Sequence, residues 1–222
     1  IKSEVASLKE RSRALEEEMA TAQQEQDNRL VLLPNLPYAQ VPEGRSAEDN
    51  VIVRQGGVIP DLGETSKPHW ELVKELDIID FDLGVKLTGA GFPLYKGAGA
   101  RIQRALIAYF LERNTAAGYI EYQPPYIVNE DSGFGTGQLP DKEGQMYHVT
   151  IDGFYLIPTA EVPLTNIYRD VILQDSDFPI KITAYTPCWR REAGSYGKDV
   201  RGLNRLHQFD KVEIVRIERP EN

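Results

Sequence analysis

The sequence predicts an α+β fold: a mainly antiparallel sheet flanked by helices, preceded by a coiled-coil helix. Three patterns predict it. Short strands alternate with helices and end in a hairpin; residues 98–117 read as one amphipathic helix; and residues 1–29 carry a heptad seam. At 222 residues and 41% hydrophobic, the chain can bury one sizeable core with a small appendage.

In the first segment, Ile1, Val5, Leu8, Ser12, Leu15, Met19 and Ala22 follow the 4-3 spacing of a two-stranded coiled coil, with Ser12 the weak position. Glu16, Glu17 and Glu18 form a solvated face. A single short amphipathic helix is marginal in water, so a partner helix is expected. The stretch 31–68 reads as a linker, with Pro34, Pro37 and Pro42 in its first part and a polar, Gly-containing remainder. The globular part is expected from residue 69 to 222. Its first element is a helix in 71–83 followed by an acidic turn. In the helix from 98, Ile102, Ala105, Leu106, Tyr109 and Phe110 share a stripe, and Gly118 stands at the C-terminal cap. A strand with Pro124 and Pro125 follows, then a Gly-rich loop at 132–144, a strand near 145–157 and a helix from about 161.

The last run, residues 188–216, reads as two strands around a Gly-rich loop. Same-parity residues share a strand face, so Arg205, His207, Phe209, Lys211 and Glu213 line one face and Leu206, Val212 and Ile214 the other. Arg190 and Glu192 share a face in the first strand. This describes a sheet floor under a polar ligand; an exposed antiparallel hairpin shows the same alternation.

Bulk composition narrows the classes. The formal charge of −9 argues against a surface that binds nucleic acid throughout. The hairpin segment, with seven Lys or Arg against four Asp or Glu, is a local cationic site of the kind phosphate binding needs. No apolar run reaches the length of a membrane span, and the charged first residues are unlike a signal peptide. A lone cysteine, Cys188, excludes an internal disulfide, and His69, His148 and His207 lack metal-ligand spacing. A reducing, cytoplasmic setting is expected.

The hairpin details carry a resemblance. R-x-E-A-G, a basic loop, then G-L-x-R-x-H-Q-F-x-K-V-E resemble motif 2 of class II aminoacyl-tRNA synthetases, in the form of the seryl-tRNA synthetases. The helix from 98 with G-Y-I-E-Y-Q-P-P resembles motif 1, G-T-G-Q-L-P (135–140) the loop before the serine-binding segment, and P-T-A-E (158–161) the serine-binding loop. The Thr-Ala-Glu of that last segment alone has a commoner explanation in a helix-starting threonine. Its place some thirty residues before motif 2 raises it.

The resemblance implies a class II synthetase-like core at 69–222 that holds motifs 1 and 2, preceded by the end of a tRNA-binding arm at 1–30. Motif 3 and most of the arm are not in the sequence, so the chain is read as a fragment of an enzyme of protein biosynthesis, with its activity alone in doubt. Implied partners are L-serine, ATP, tRNA(Ser) with tRNA(Sec) as a further candidate, and a second copy through motif 1, with no membrane. Implied roles are serine binding for Thr159, Ala160, Glu161, Arg190 and Glu213, and ATP binding for Arg190, Arg191, Glu192, Arg205 and Phe209. The resemblance also implies that Arg190 is the catalytic residue, that Lys198 and Arg201 contact tRNA, and that Mg²⁺ accompanies ATP, with Glu192 and Glu213 as its possible ligands. Cys188 is read as a core residue and His207 as a structural hydrogen-bonding residue. Two rivals stay open: a threonyl or prolyl enzyme of the same class, and a non-catalytic paralogue that binds RNA or a protein.

Overall fold

The computed structural model describes residues 2–193 and 201–221. It divides into two compact units, Ile1–Asp61 and Leu62–Asn222.

The first unit is dominated by α1 (Lys2–Leu30), none of whose residues is buried. Its seam residues Val5, Leu8, Leu15 and Met19 are exposed, as a coiled-coil half without its partner requires. An i,i+4 pair, Arg13 to Glu17 at 3.1 Å, supports the helix locally. The proline-containing segment after it holds only a 3₁₀ turn at Ala47–Asp49, closed by a capping box from Ser46.

In the second unit the expected helix plus acidic turn is two helices. These are α2 (His69–Glu75) and α3 (Phe81–Leu87), separated by β1 (Ile79–Asp80). The acidic residues that read as a turn instead start α3: the Asp80 carboxylate accepts from Leu83 N at 2.9 Å. β1 pairs antiparallel with β2 (Leu94–Tyr95). Gly99, near the start of α4 (Ala98–Ala116), lies against the main chain of Ile78, and a Cβ there would collide with the Ile78 carbonyl. Gly99→Ala should therefore destabilise the fold by about 1–3 kcal/mol, read as a lower urea midpoint at unchanged slope.

Helix α4 ends as expected, with Gly118 at φ +85°. Its orientation differs from the sequence expectation. Ile102, Leu106, Tyr109 and Phe110 are about half exposed, whereas Gln103, Ile107, Leu111 and Asn114 are the more covered residues. Polar pairs set this face: Gln103 binds Asp210, and Asn114 donates to Thr183 Oγ1 at 2.9 Å.

Two three-stranded sheets follow. β4 (Ile127–Val128), β5 (His148–Val149) and β6 (Phe154–Leu156) form one, in antiparallel order β4–β6–β5. Within the expected Gly-rich loop a short helix, α5 (Glu130–Gly135), is capped by Asn129. The other sheet has the order β3–β7–β8, with β3 at Ile120–Glu121, β7 at Ile180–Trp189 and β8 at Gln208–Ile217. β7 and β8 are antiparallel over ten residue pairs, and β3 joins β7 in parallel. The sheets are thus mainly antiparallel, as expected, with one parallel edge.

Helix α6 (Glu161–Asn166) places the site. It packs Ala160 and Leu164 on Ile182 and Ala184, and Val162 on Val128 and Ile157, so it belongs to both hydrophobic clusters. It covers one end of a β7–β8 face and leaves open the end nearer the loop. The opposite face meets α4. That face was expected to be apolar, but Ile214 is half exposed and Tyr185 OH donates to Asp210 at 2.6 Å. Burial and the neighbouring Asp210 push the Tyr185 hydroxyl pKa upward, which keeps it a donor.

Candidate active site

The register of β7 against β8 puts Cys188 opposite Phe209, Thr186 opposite Lys211 and Ala184 opposite Glu213. Directly opposed residues share a face. Phe209, Lys211 and Glu213 therefore stand on one side with Thr186 and Cys188, both fully buried beneath them. Burial raises the Cys188 thiol pKa, so the thiol is a protonated packing group. Arg190 continues the hairpin, its N–H donating to His207 O at 3.0 Å.

At the open end, a cleft of about 390 Å³ is lined by Arg190, Glu192, Leu203, Asn204, Arg205, Leu206 and Phe209. The Arg190 guanidinium lies over the Phe209 ring at 5.2 Å, within cation–π range. Arg205 Nη1 donates to Glu192 Oε2 at 2.7 Å. Glu192 holds φ +49°, uncommon for a residue with a side chain.

At the covered end is a second polar cluster. Thr159, nearly fully buried, donates to Glu213 Oε2 at 2.7 Å and accepts from Lys211 Nζ at 3.0 Å. Lys211 also forms an ion pair with Glu213. The Glu213 side chain keeps 19% of its exposure, enough for a small polar ligand to reach it. Arg190 connects the two clusters: its Nε donates to Pro158 O at 3.3 Å, next to Thr159 in the chain.

The residues singled out in the sequence do not all converge. Arg190, Glu192, Arg205 and Phe209 line the cleft, while Thr159 and Glu213 meet each other. Ala160 is buried in the core beneath them. Glu161 is exposed in the first turn of α6, and its N–H donates to Thr159 Oγ1. Arg191 is exposed and outside the cleft lining, and its N–H bonds Gln145 O at 2.8 Å. Arg201 lies over the Trp70 ring at 4.7 Å. Lys198 lies outside the described residues. His207 is structural: Nδ1 meets Tyr147 OH at 2.6 Å and its ring stacks on Phe92. Lys211 was given no role from the sequence, although its parity had already put it on the site face.

The described residues contain no cluster of three metal-ligating side chains. Glu192 and Glu213, the possible magnesium ligands, each sit in an ion pair, Glu192 with Arg205 and Glu213 with Lys211.

The sheet, its charged hairpin and the helices packed on it have the fold of the class II aminoacyl-tRNA synthetases. Residues 147–222 match the tRNA synthetase class II core domain (G, H, P, S and T). A serine–tRNA ligase from Trichlorobacter lovleyi is 50% identical over 225 aligned residues, which cover 100% of this chain and 53% of that protein. One from Citrifermentans bemidjiense is 54% identical over 200, covering 90% and 47%. The crystal structure of seryl-tRNA synthetase from Pyrococcus horikoshii complexed with ATP superposes with a TM-score of 0.87 at 32% identity, covering 94% of this chain and 51% of that one. The chain belongs to the seryl-tRNA synthetase family. It spans about half the length of the curated relatives it matches.

Proposed function

We propose that the protein carrying this chain activates L-serine with ATP and transfers the seryl group to tRNA(Ser). The observation that carries this reading is Arg190, which lines the open cleft over Phe209 and also bonds the main-chain oxygen of Pro158, next to Thr159 of the threonine–glutamate cluster. In the first step a serine carboxylate oxygen attacks the α-phosphorus, the α–β anhydride bond breaks and pyrophosphate leaves. Two negative groups must be brought together, and a guanidinium can bind both at once through paired donors. Arg190 thus positions the reactants and offsets charge as the new bond forms.

ATP takes the open cleft, with adenine against Phe209 and Glu192 and the terminal phosphates toward Arg205; Arg191 is at most peripheral to it. Magnesium belongs with the nucleotide phosphates, not in a protein cage. Serine takes the other end, its ammonium toward Thr159 and Glu161 and its hydroxyl toward Glu213. In the second step a ribose hydroxyl of the tRNA end attacks the seryl carbonyl and AMP leaves. Lys198 and Arg201 are assigned to the tRNA, α1 to the end of a tRNA-binding arm and 31–68 to a linker. Service to tRNA(Sec) rests on the resemblance alone, and a reducing, cytoplasmic setting on the lone cysteine. No helix among the described residues is long and apolar enough to cross a membrane.

The test is amino-acid-dependent ATP–pyrophosphate exchange by the intact protein. Exchange with serine is the expected result. Exchange with threonine or proline and not serine would reassign the enzyme within its class, and none with any of the three would favour a non-catalytic paralogue.

We assign the exposed α4 stripe to a homodimer. Leu106 and Phe110 are about half exposed there, and Ile120 of the edge strand β3 is more exposed still. L106E/F110E should shift light scattering of the intact protein from dimer to monomer at micromolar concentration. A monomeric wild type, or an unshifted variant, counts against this interface.

A further inference from the structure

We propose that His69, far from the hairpin in sequence, is a positioning residue for the nucleotide cleft. Its Nε2 accepts a hydrogen bond from the main-chain N–H of Leu203 at 2.7 Å, a contact across 134 residues of sequence. Leu203, Asn204, Arg205 and Leu206 form the wall of the cleft that faces Arg190 and Phe209. The imidazole is seated directly on the chain here. Gly202 has φ +70°, and a Cβ at that position would collide with His69 Nε2. The next residue of α2, Trp70, carries the Arg201 guanidinium over its ring. Two consecutive residues of α2 therefore hold three consecutive residues, 201 to 203.

The far end of the same wall is held separately. His207 N–H donates to Gly91 O at 2.8 Å, and its ring is fixed between Phe92 and Tyr147. Between these anchors Arg205 pairs with Glu192. Removing the acceptor on His69 frees the Leu203 end and lets Arg205 and Asn204 drift relative to Arg190. An imidazole accepting at Nε2 carries its proton on Nδ1, so the side chain acts through its lone pair and through its shape. No ligand contact is required of it.

The proposal rests on the reading of the cleft as a nucleotide site only for what the cleft binds. The experiment compares H69F, which keeps a ring without the acceptor, with H69Q, whose side-chain oxygen can take the place of Nε2. Gly202→Ala disturbs the same contact from the other side. Amide hydrogen exchange of the intact, ligand-free protein should show Leu203 protection falling about three- to tenfold in H69F and recovering in H69Q, the range expected for one net hydrogen bond. In serine-dependent pyrophosphate exchange, H69F and G202A should raise the KM for ATP by a similar factor and leave the KM for serine unchanged; H69Q should stay within about twofold of wild type on the same basis. Unchanged Leu203 protection in H69F, an unchanged ATP KM, or equal impairment of H69F and H69Q would overturn the proposal. Should H69F not fold, H69Q against G202A decides it by the same readouts. A wild type without serine-dependent exchange would refute the proposed function, whereas Leu203 protection would still decide the anchor.

Discussion

Replacing Arg190 with alanine in the intact protein should lower serine-dependent pyrophosphate exchange by about 10²–10³-fold, the usual loss for one preorganised electrostatic donor. The loss should fall mainly on kcat, because the guanidinium is proposed to bind most strongly as charge gathers between carboxylate and α-phosphate. Arg190→Lys should recover little. A lysine has neither the planar fork nor the flat face that lies over Phe209. Retention of the wild-type rate by R190A would refute the assigned role. An equal rescue by R190K would reduce that role to simple charge.

Glu213→Gln should lower kcat/KM for serine by about 10–100-fold, the equivalent of 1.5–3 kcal/mol for hydrogen bonds to a charged group. Two contacts and an open edge explain the size. The carboxylate accepts from Thr159, pairs with Lys211 and remains partly open to a ligand. The KM for ATP should change little, since Glu213 does not line the cleft. Discrimination against alanine should fall as well. A site that hydrogen-bonds a hydroxyl rejects the analogue lacking it by about 10⁴ or more, because its own polar groups are left unpaired. A variant with unchanged serine kinetics would remove Glu213 from the serine site, and parallel rises in both KM values would mean that the hairpin had shifted as a whole.

The hairpin was the most legible part of this chain. Parity along a strand is a local property, and β7 and β8 keep one uninterrupted register, so Phe209, Lys211 and Glu213 stand together as alternation requires. Helix α4 was legible in its bounds but not in its orientation. Periodicity finds an apolar stripe, and the expected inward face loses to Gln103 and Asn114, whose partners Asp210 and Thr183 lie more than sixty residues away. Helix α3 was missed because an acidic run reads as a turn until Asp80 is seen to cap the next helix. Lys211 shared the site face, yet its role depends on Thr159, which another element brings to it. Nothing in the sequence joins His69 to Leu203.

By itself, the sequence determined the α+β class, the helix that precedes the core, and the charged face of the hairpin with its arginine, aromatic and glutamate. These follow from residue type and period, which act between near neighbours. Only the tertiary structure decided that Arg190 of the cleft bonds Pro158 beside Thr159, that Thr159 meets Glu213 and Lys211, and that α2 reaches the cleft wall. Each depends on long-range packing: α6 must cover one end of the sheet face and α2 must lie against residues 201–203 before those side chains can meet.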